Sequence, residues 1–115
     1  MDSIDDRSQL GSLVRRICLS NELGSEGANV TFWSSSEAQK IQCVSWERGI
    51  NDFTLACGTG AVAAAYDHLN QAKSGAQGDS CRVYVPGGEL SVSRIADAWY
   101  LIGPAVRVFM GSIKI

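Results

Sequence analysis

The sequence has a single histidine, His68, only two prolines, and no C-x-x-C spacing among its four cysteines, Cys18, Cys43, Cys57 and Cys81. Structural zinc sites draw clustered cysteine and histidine ligands from short spacings, so no metal site is expected. The acidic opening, Met1 to Asp6, lacks the basic and apolar regions of a secretory signal. Free thiols are therefore expected in place of disulfides, together with a cytoplasmic location. The longest apolar run, Ala61 to Ala65, is far too short to span a bilayer. Basic residues are scattered apart from Arg15-Arg16 and the net charge is -2, which leaves no stripe to track a phosphate backbone. Neither a membrane nor nucleic acid is an expected partner.

What is present is the composition of a folded chain. Hydrophobic residues make up 45% and charged residues 19% of 115 positions, which is enough for one core and too short for a second full domain. Leu10, Leu13, Val14 and Ile17 recur at helical spacing and predict a helix over Asp6 to Leu19. Asn21 to Gly27 reads as a loop, and Asn29 to Ser34 and Lys40 to Trp46 read as strands around a polar turn at Ser35 to Gln39. Gly60 to Gln71 is alanine-rich, contains no proline and predicts a helix. Its first turns are apolar on every side, which predicts a buried helix. A Gly/Ser-rich connection, Ala72 to Ser80, leads to four expected strands: Cys81 to Val85, Gly88 to Arg94, Ala98 to Ile102 and Val106 to Ile115. The expected class is α+β, with mainly antiparallel strands wrapped around a central alanine-rich helix in a single domain over 1–115.

The chemistry concentrates at Cys57-Gly58-Thr59-Gly60. This string runs straight into the alanine-rich helix, so the amides of Gly58, Thr59 and Gly60 are the unsatisfied donors of a helix start. Glycine at 58 and 60 is expected to let the backbone approach an anion, and the positive end of the helix favours a carboxylate there. The same field favours the thiolate of Cys57, and a thiolate beside a bound carboxylate is placed to remove an α-proton. Taken alone, the string is equally a buried cysteine before a glycine-containing helix entry. Glu47-Arg48-Gly49 alone reads as a solvated surface pair, but converging on the thiol it could hold the ammonium and carboxylate of an amino acid. Cys18, Cys43 and Cys81 lack a following Gly-Thr-Gly and are expected in the core. His68 lies about three turns beyond Cys57 and reads as a polar or capping residue. Trp33, Trp46 and Trp99 read as core or interface packing.

Together these residues resemble the diaminopimelate epimerases. The resemblance runs through Gly27-Ala28-Asn29-Val30-Thr31-Phe32, Trp46-Glu47-Arg48-Gly49, Thr54 to Ala61, Val85-Pro86-Gly87-Gly88 and Gly103-Pro104-Ala105-Val106, and covers nearly the whole chain. It departs from the usual G-E-T connection at Ile50 to Thr54, where Phe53 stands in the place of a glutamate.

The resemblance implies epimerisation of LL- to meso-diaminopimelate by two cysteines, one removing the α-proton and the other returning it, with no cofactor and no metal. Cys57 matches the second of these cysteines. Asn29 and Arg48 match the residues that recognise the distal end of the substrate, Glu47 the acceptor for its amino group, and the amides of Gly58 and Thr59 the donors to its α-carboxylate. The chain resembles only the C-terminal domain of the family. The implied partners are diaminopimelate and an N-terminal half carrying the other cysteine, with a homodimer possible through an unpaired strand edge. Two other functions fit the same residues: a non-catalytic amino-acid-binding module, and a related racemase or epimerase with another substrate.

Overall fold

The computed structural model describes residues 7–71 and 79–115. Helix α1 spans Arg7–Cys18 and is followed by a short 3-10 turn at Asn21–Leu23. Then come β1 (Val30–Glu37), β2 (Lys40–Glu47), a two-residue β3 (Asp52–Phe53) and helix α2 (Gly58–Asn70). Strands β4 (Ser80–Val85), β5 (Gly88–Ile95) and β6 (Ala98–Ile102) complete the regular structure among the described residues. The expected connection falls mostly on residues 72–78, outside the described residues.

The strands form one sheet in the order β1-β2-β4-β5-β6, with β3 paired to β2. Neighbours are antiparallel except β2 and β4, which run parallel because α2 crosses between them. The β1–β2 hairpin is longer than its sequence pattern predicts: a register irregularity between Ser34 and Glu37 carries β1 through the serine run to a tight turn at residues 38–39. It places Thr31 opposite Ser45 and Trp33 opposite Cys43.

Side chains alternate along these strands, and Ile41, Cys43, Cys81, Val83 and Val92 point to the face covered by α2. The helix answers with Ala61, Ala64, Ala65 and His68, the i, i+3, i+4, i+7 stripe of a helix with one buried side. Alanines there bring the helix close to the sheet. Only one flank is covered, however: Ala63, Tyr66 and Asp67 are exposed. The expectation of burial on every side fails at Ala63, because alanine serves helix propensity as readily as packing. His68 is buried, with Nε2 2.7 Å from the Ala38 carbonyl oxygen and its ring edge-on to Trp33. A carbonyl only accepts, so Nε2 carries the proton and the histidine clamps the hairpin turn.

Two other expectations are corrected. Cys18 is half-buried on α1, away from the core cluster, because the buried position of that helix is Val14. Residues 103–115 form no strand and are exposed, with Val106, Val108, Phe109 and Ile113 each more than four-fifths accessible. A strand needs a neighbour for its N–H and C=O groups, and among the described residues none lies beside this segment. The radius of gyration, 16.1 Å, exceeds the roughly 13 Å of a compact chain of this length. No helix of the described residues is long and apolar enough to cross a membrane.

Candidate active site

Cys57 is the N-cap of α2. Its backbone is extended (φ -134, ψ 110), and its carbonyl accepts the Ala61 N–H at 2.9 Å as the helix begins. The thiol makes no capping bond; Sγ lies 3.5 Å from Thr59 Oγ1, and the residue is 8% exposed. The amides of Gly58 and Thr59 open the helix and have no carbonyl four residues back within it. An anion is therefore favoured beside the thiol by both unpaired donors and the helix dipole.

The approach to this turn is held on both sides. The Thr54 N–H donates to the Ser45 carbonyl on β2 at 3.0 Å, and the Leu55 carbonyl accepts the Gly87 N–H at 2.7 Å from the β4–β5 turn. Backbone bonds to two separate strand ends thus fix where the chain enters Cys57.

At both glycines the space that a side chain would take is occupied by protein. A Cβ on Gly60 would overlap Thr31 Oγ1, come within 2.5 Å of Ser45 Oγ and lie 3.4 Å from Cys57 Sγ. One on Gly58 would meet Leu101 Cδ2 at 2.9 Å. Neither residue has a positive φ. At Gly60 the contact is with two hydroxyls of the hairpin, so that glycine serves close packing of the first turn against the sheet, whereas at Gly58 only the movable end of Leu101 would have to shift.

Asn29 and Arg48 are brought together: Asn29 Oδ1 accepts the Arg48 backbone N–H at 3.0 Å. The β2–β3 loop that carries Arg48 is closed by the Asn51 N–H on the Glu47 carbonyl at 2.8 Å. Asn51 there adopts a left-handed conformation (φ 57), which asparagine tolerates. The Arg48 guanidinium reaches Glu26 at 3.4 Å, an exposed pair that leaves it largely in water. Glu47 is half-buried at the end of β2 and has no side-chain partner among the described residues. Asn29, Thr31, Thr59, Gly60 and Asp67 line one cleft of about 440 Å³ between β1 and α2, which links the thiol turn to Asn29. Phe53 pairs with Trp46 across β2 and β3 and is half-buried.

The other thiols are unlike Cys57. Cys43 and Cys81 are each 2% exposed in the core. Burial pushes Cys43 up to about 11, with the Cys57 and Cys81 sulfurs adding to the rise. Burial raises Cys81 too, partly offset by a backbone bond at Ile41. All four cysteines are free. Among the described residues no three His, Cys, Asp or Glu side chains converge as a metal site would require. The residues that sequence reasoning missed are Thr31 and Ser45, whose hydroxyls meet at 2.7 Å beneath Gly60. Their signal was two hydroxyls at mirrored positions about the hairpin turn.

These features define an α+β protein with a thiol at the N-cap of a helix packed on a mixed sheet. The sequence profile of diaminopimelate epimerase matches residues 2–113, and the chain belongs to that family. It is 33% identical to the diaminopimelate epimerase of Chlorobaculum tepidum, with all of this chain aligned to 44% of that protein. It is 35% identical to that of Archaeoglobus fulgidus, with all of this chain aligned to 39% of the relative. To the Methanocella arvoryzae enzyme the identity is 37%, over 78% of this chain and 31% of the relative. The chain thus spans between 31% and 44% of the length of these relatives.

Proposed function

We propose that this chain supplies one side of the active site of a cofactor-independent diaminopimelate epimerase that interconverts the LL and meso forms. The observation that carries the reading is Cys57 at the N-cap of α2, at the start of a helix whose first amides have no acceptor within the helix. A proton attached to the α-carbon of an amino acid is weakly acidic, and removing it places charge on the α-carboxylate. Preorganised donors at Gly58 and Thr59 stabilise that charge as it develops, which is where electrostatic help is most effective. In this reading the Cys57 thiol or thiolate exchanges the proton on one face of the α-carbon, and a second thiol acts on the opposite face. The net reaction moves one proton on and one off, with no change of oxidation state.

The second thiol comes from outside these residues. Cys43 and Cys81 are in the core and resist ionisation, and Cys18 sits on α1 with no anion-binding turn after it. Half-buried Glu47 accepts from the substrate amino group, and Asn29 with Arg48 receives the distal amino-acid end. Asn29 spends its carbonyl on fixing the Arg48 backbone, leaving its NH₂ and the guanidinium as donors suited to a carboxylate. The apolar residues of 103–115 then find cover in the rest of the complete enzyme, the partner half that the reading requires.

The test is stereochemical. Chiral chromatography of LL-diaminopimelate incubated with the complete protein is expected to show the meso form, whereas the 115-residue chain alone gives none. Conversion by the isolated chain would contradict the half-site reading, and binding without conversion by the complete protein would favour a non-catalytic amino-acid-binding module.

A further inference from the structure

We infer that the Thr31–Ser45 hydroxyl pair is a positioning element for the Cys57 turn, an inference that rests on the reading of Cys57 as an acid/base thiol. The two residues face each other across β1 and β2, with Oγ1 and Oγ 2.7 Å apart. They share the sheet face that otherwise presents Ile41 and Cys43 to α2. Ser45 is 4% exposed, so its hydroxyl depends on Thr31 for a partner.

Gly60 sits directly on this pair. Its absent Cβ would collide with both hydroxyls and also lie 3.4 Å from Cys57 Sγ. The Gly60 Cα is thus held between the hydroxyl pair and the thiol. Its φ is not positive, so glycine is required here by distance to those oxygens and not by backbone conformation. Ser45 acts a second time through its carbonyl, which receives the Thr54 N–H three residues before Cys57. One residue of β2 therefore fixes both the segment entering the thiol and the helical turn leaving it. Displacing the hydroxyls moves the first turn of α2, and with it the separation between the thiol and the amides of Gly58 and Thr59. Thr31 and Ser45 touch no reacting atom in this account; they act through Gly60.

The test reads the thiol itself. The rate of Cys57 alkylation by iodoacetamide, followed by peptide mass spectrometry across pH 6 to 10, is compared for the 115-residue chain and its variants. Thr31→Val, which keeps the volume and removes the hydrogen bond, and Ser45→Ala, which removes the buried hydroxyl, are expected to change the rate at least fivefold and to displace the pH profile. Thr31→Ser, which keeps the bond, is expected to retain the original profile. Continued protection of Cys43 and Cys81 shows that the fold is intact. Should either single variant unfold, the triple variant Thr31→Ala/Ser45→Ala/Gly60→Ala replaces the hydroxyls by a methyl spacer at 60. It is expected to fold and to keep the Cys57 profile close to the original. Unchanged Cys57 profiles in folded Thr31→Val and Ser45→Ala, or a displaced profile in a folded triple variant, overturn the inference. Alkylation needs no substrate, so this outcome is independent of whether the complete protein epimerises diaminopimelate.

Discussion

Replacing Gly60 by alanine gives the fold and the site a common test, because two principles predict opposite signs. In a helix, glycine to alanine is ordinarily stabilising by about 1 kcal/mol, from reduced chain entropy and better propensity. At Gly60 the new Cβ meets Thr31 Oγ1 and Ser45 Oγ together, and both belong to side chains anchored on the paired strands β1 and β2. Neither hydroxyl can retreat without breaking their mutual bond, which contributes roughly 0.5–1.5 kcal/mol. Overpacking of this kind costs roughly 1–3 kcal/mol in addition. The sum exceeds the propensity gain, so Gly60→Ala is expected to destabilise by roughly 0.5–3.5 kcal/mol. Gly58→Ala is the internal control. Its Cβ meets only Leu101 Cδ2, the end of a flexible side chain that is 43% exposed and has room to move. A change within about 0.5 kcal/mol is expected there, the level of an ordinary accessible substitution. Urea unfolding of the 115-residue chain followed by tryptophan fluorescence measures both. A neutral or stabilising Gly60→Ala would refute the packing role assigned to that glycine.

Burial raises the Cys43 thiol from 9.0 to about 11. The unfolded chain therefore releases this proton first as pH rises, and stability falls between those two values by roughly 2–3 kcal/mol. Comparing the pH dependence of unfolding for wild type and Cys43→Ala isolates the effect, with the variant expected to show a shallower decline over pH 9–11. Asn29→Ala removes the acceptor that fixes the Arg48 backbone. In the complete protein it is expected to raise KM for diaminopimelate by roughly five- to tenfold, about the value of one hydrogen bond, with a smaller change in kcat. Equal losses in kcat and kcat/KM would place Asn29 with the reacting end instead.

Much of the fold was legible because its patterns are local. The Leu10, Leu13, Val14 and Ile17 spacing marked α1, and the strand alternation on either side of residues 38–39 marked the first hairpin. The parallel step between β2 and β4 was not legible, since nothing in either strand's own sequence says which neighbour lies across the α2 crossover. The tail shows the converse: Val106, Val108 and Ile113 have strand character but no partner among the described residues, and strand structure is a property of pairs. At the candidate site, the helix start at Cys57 was readable from the junction of an extended segment and an alanine-rich helix. The purpose of Gly60 was not. Glycine's absence of a side chain says that something comes close, and only the hairpin register reveals that the neighbours are Thr31 and Ser45 and not a ligand.

In the proposed mechanism Cys57 moves the α-proton of diaminopimelate. Solvent-deuterium incorporation at the substrate α-carbon, followed by proton NMR in heavy water with the complete protein, tests it most directly. Exchange is expected to accompany LL–meso interconversion, with Cys57→Ala slowing both by roughly 10²–10⁴-fold, the range for loss of a positioned acid/base group. A Cys57→Ala protein that exchanges and interconverts at the wild-type rate would contradict it.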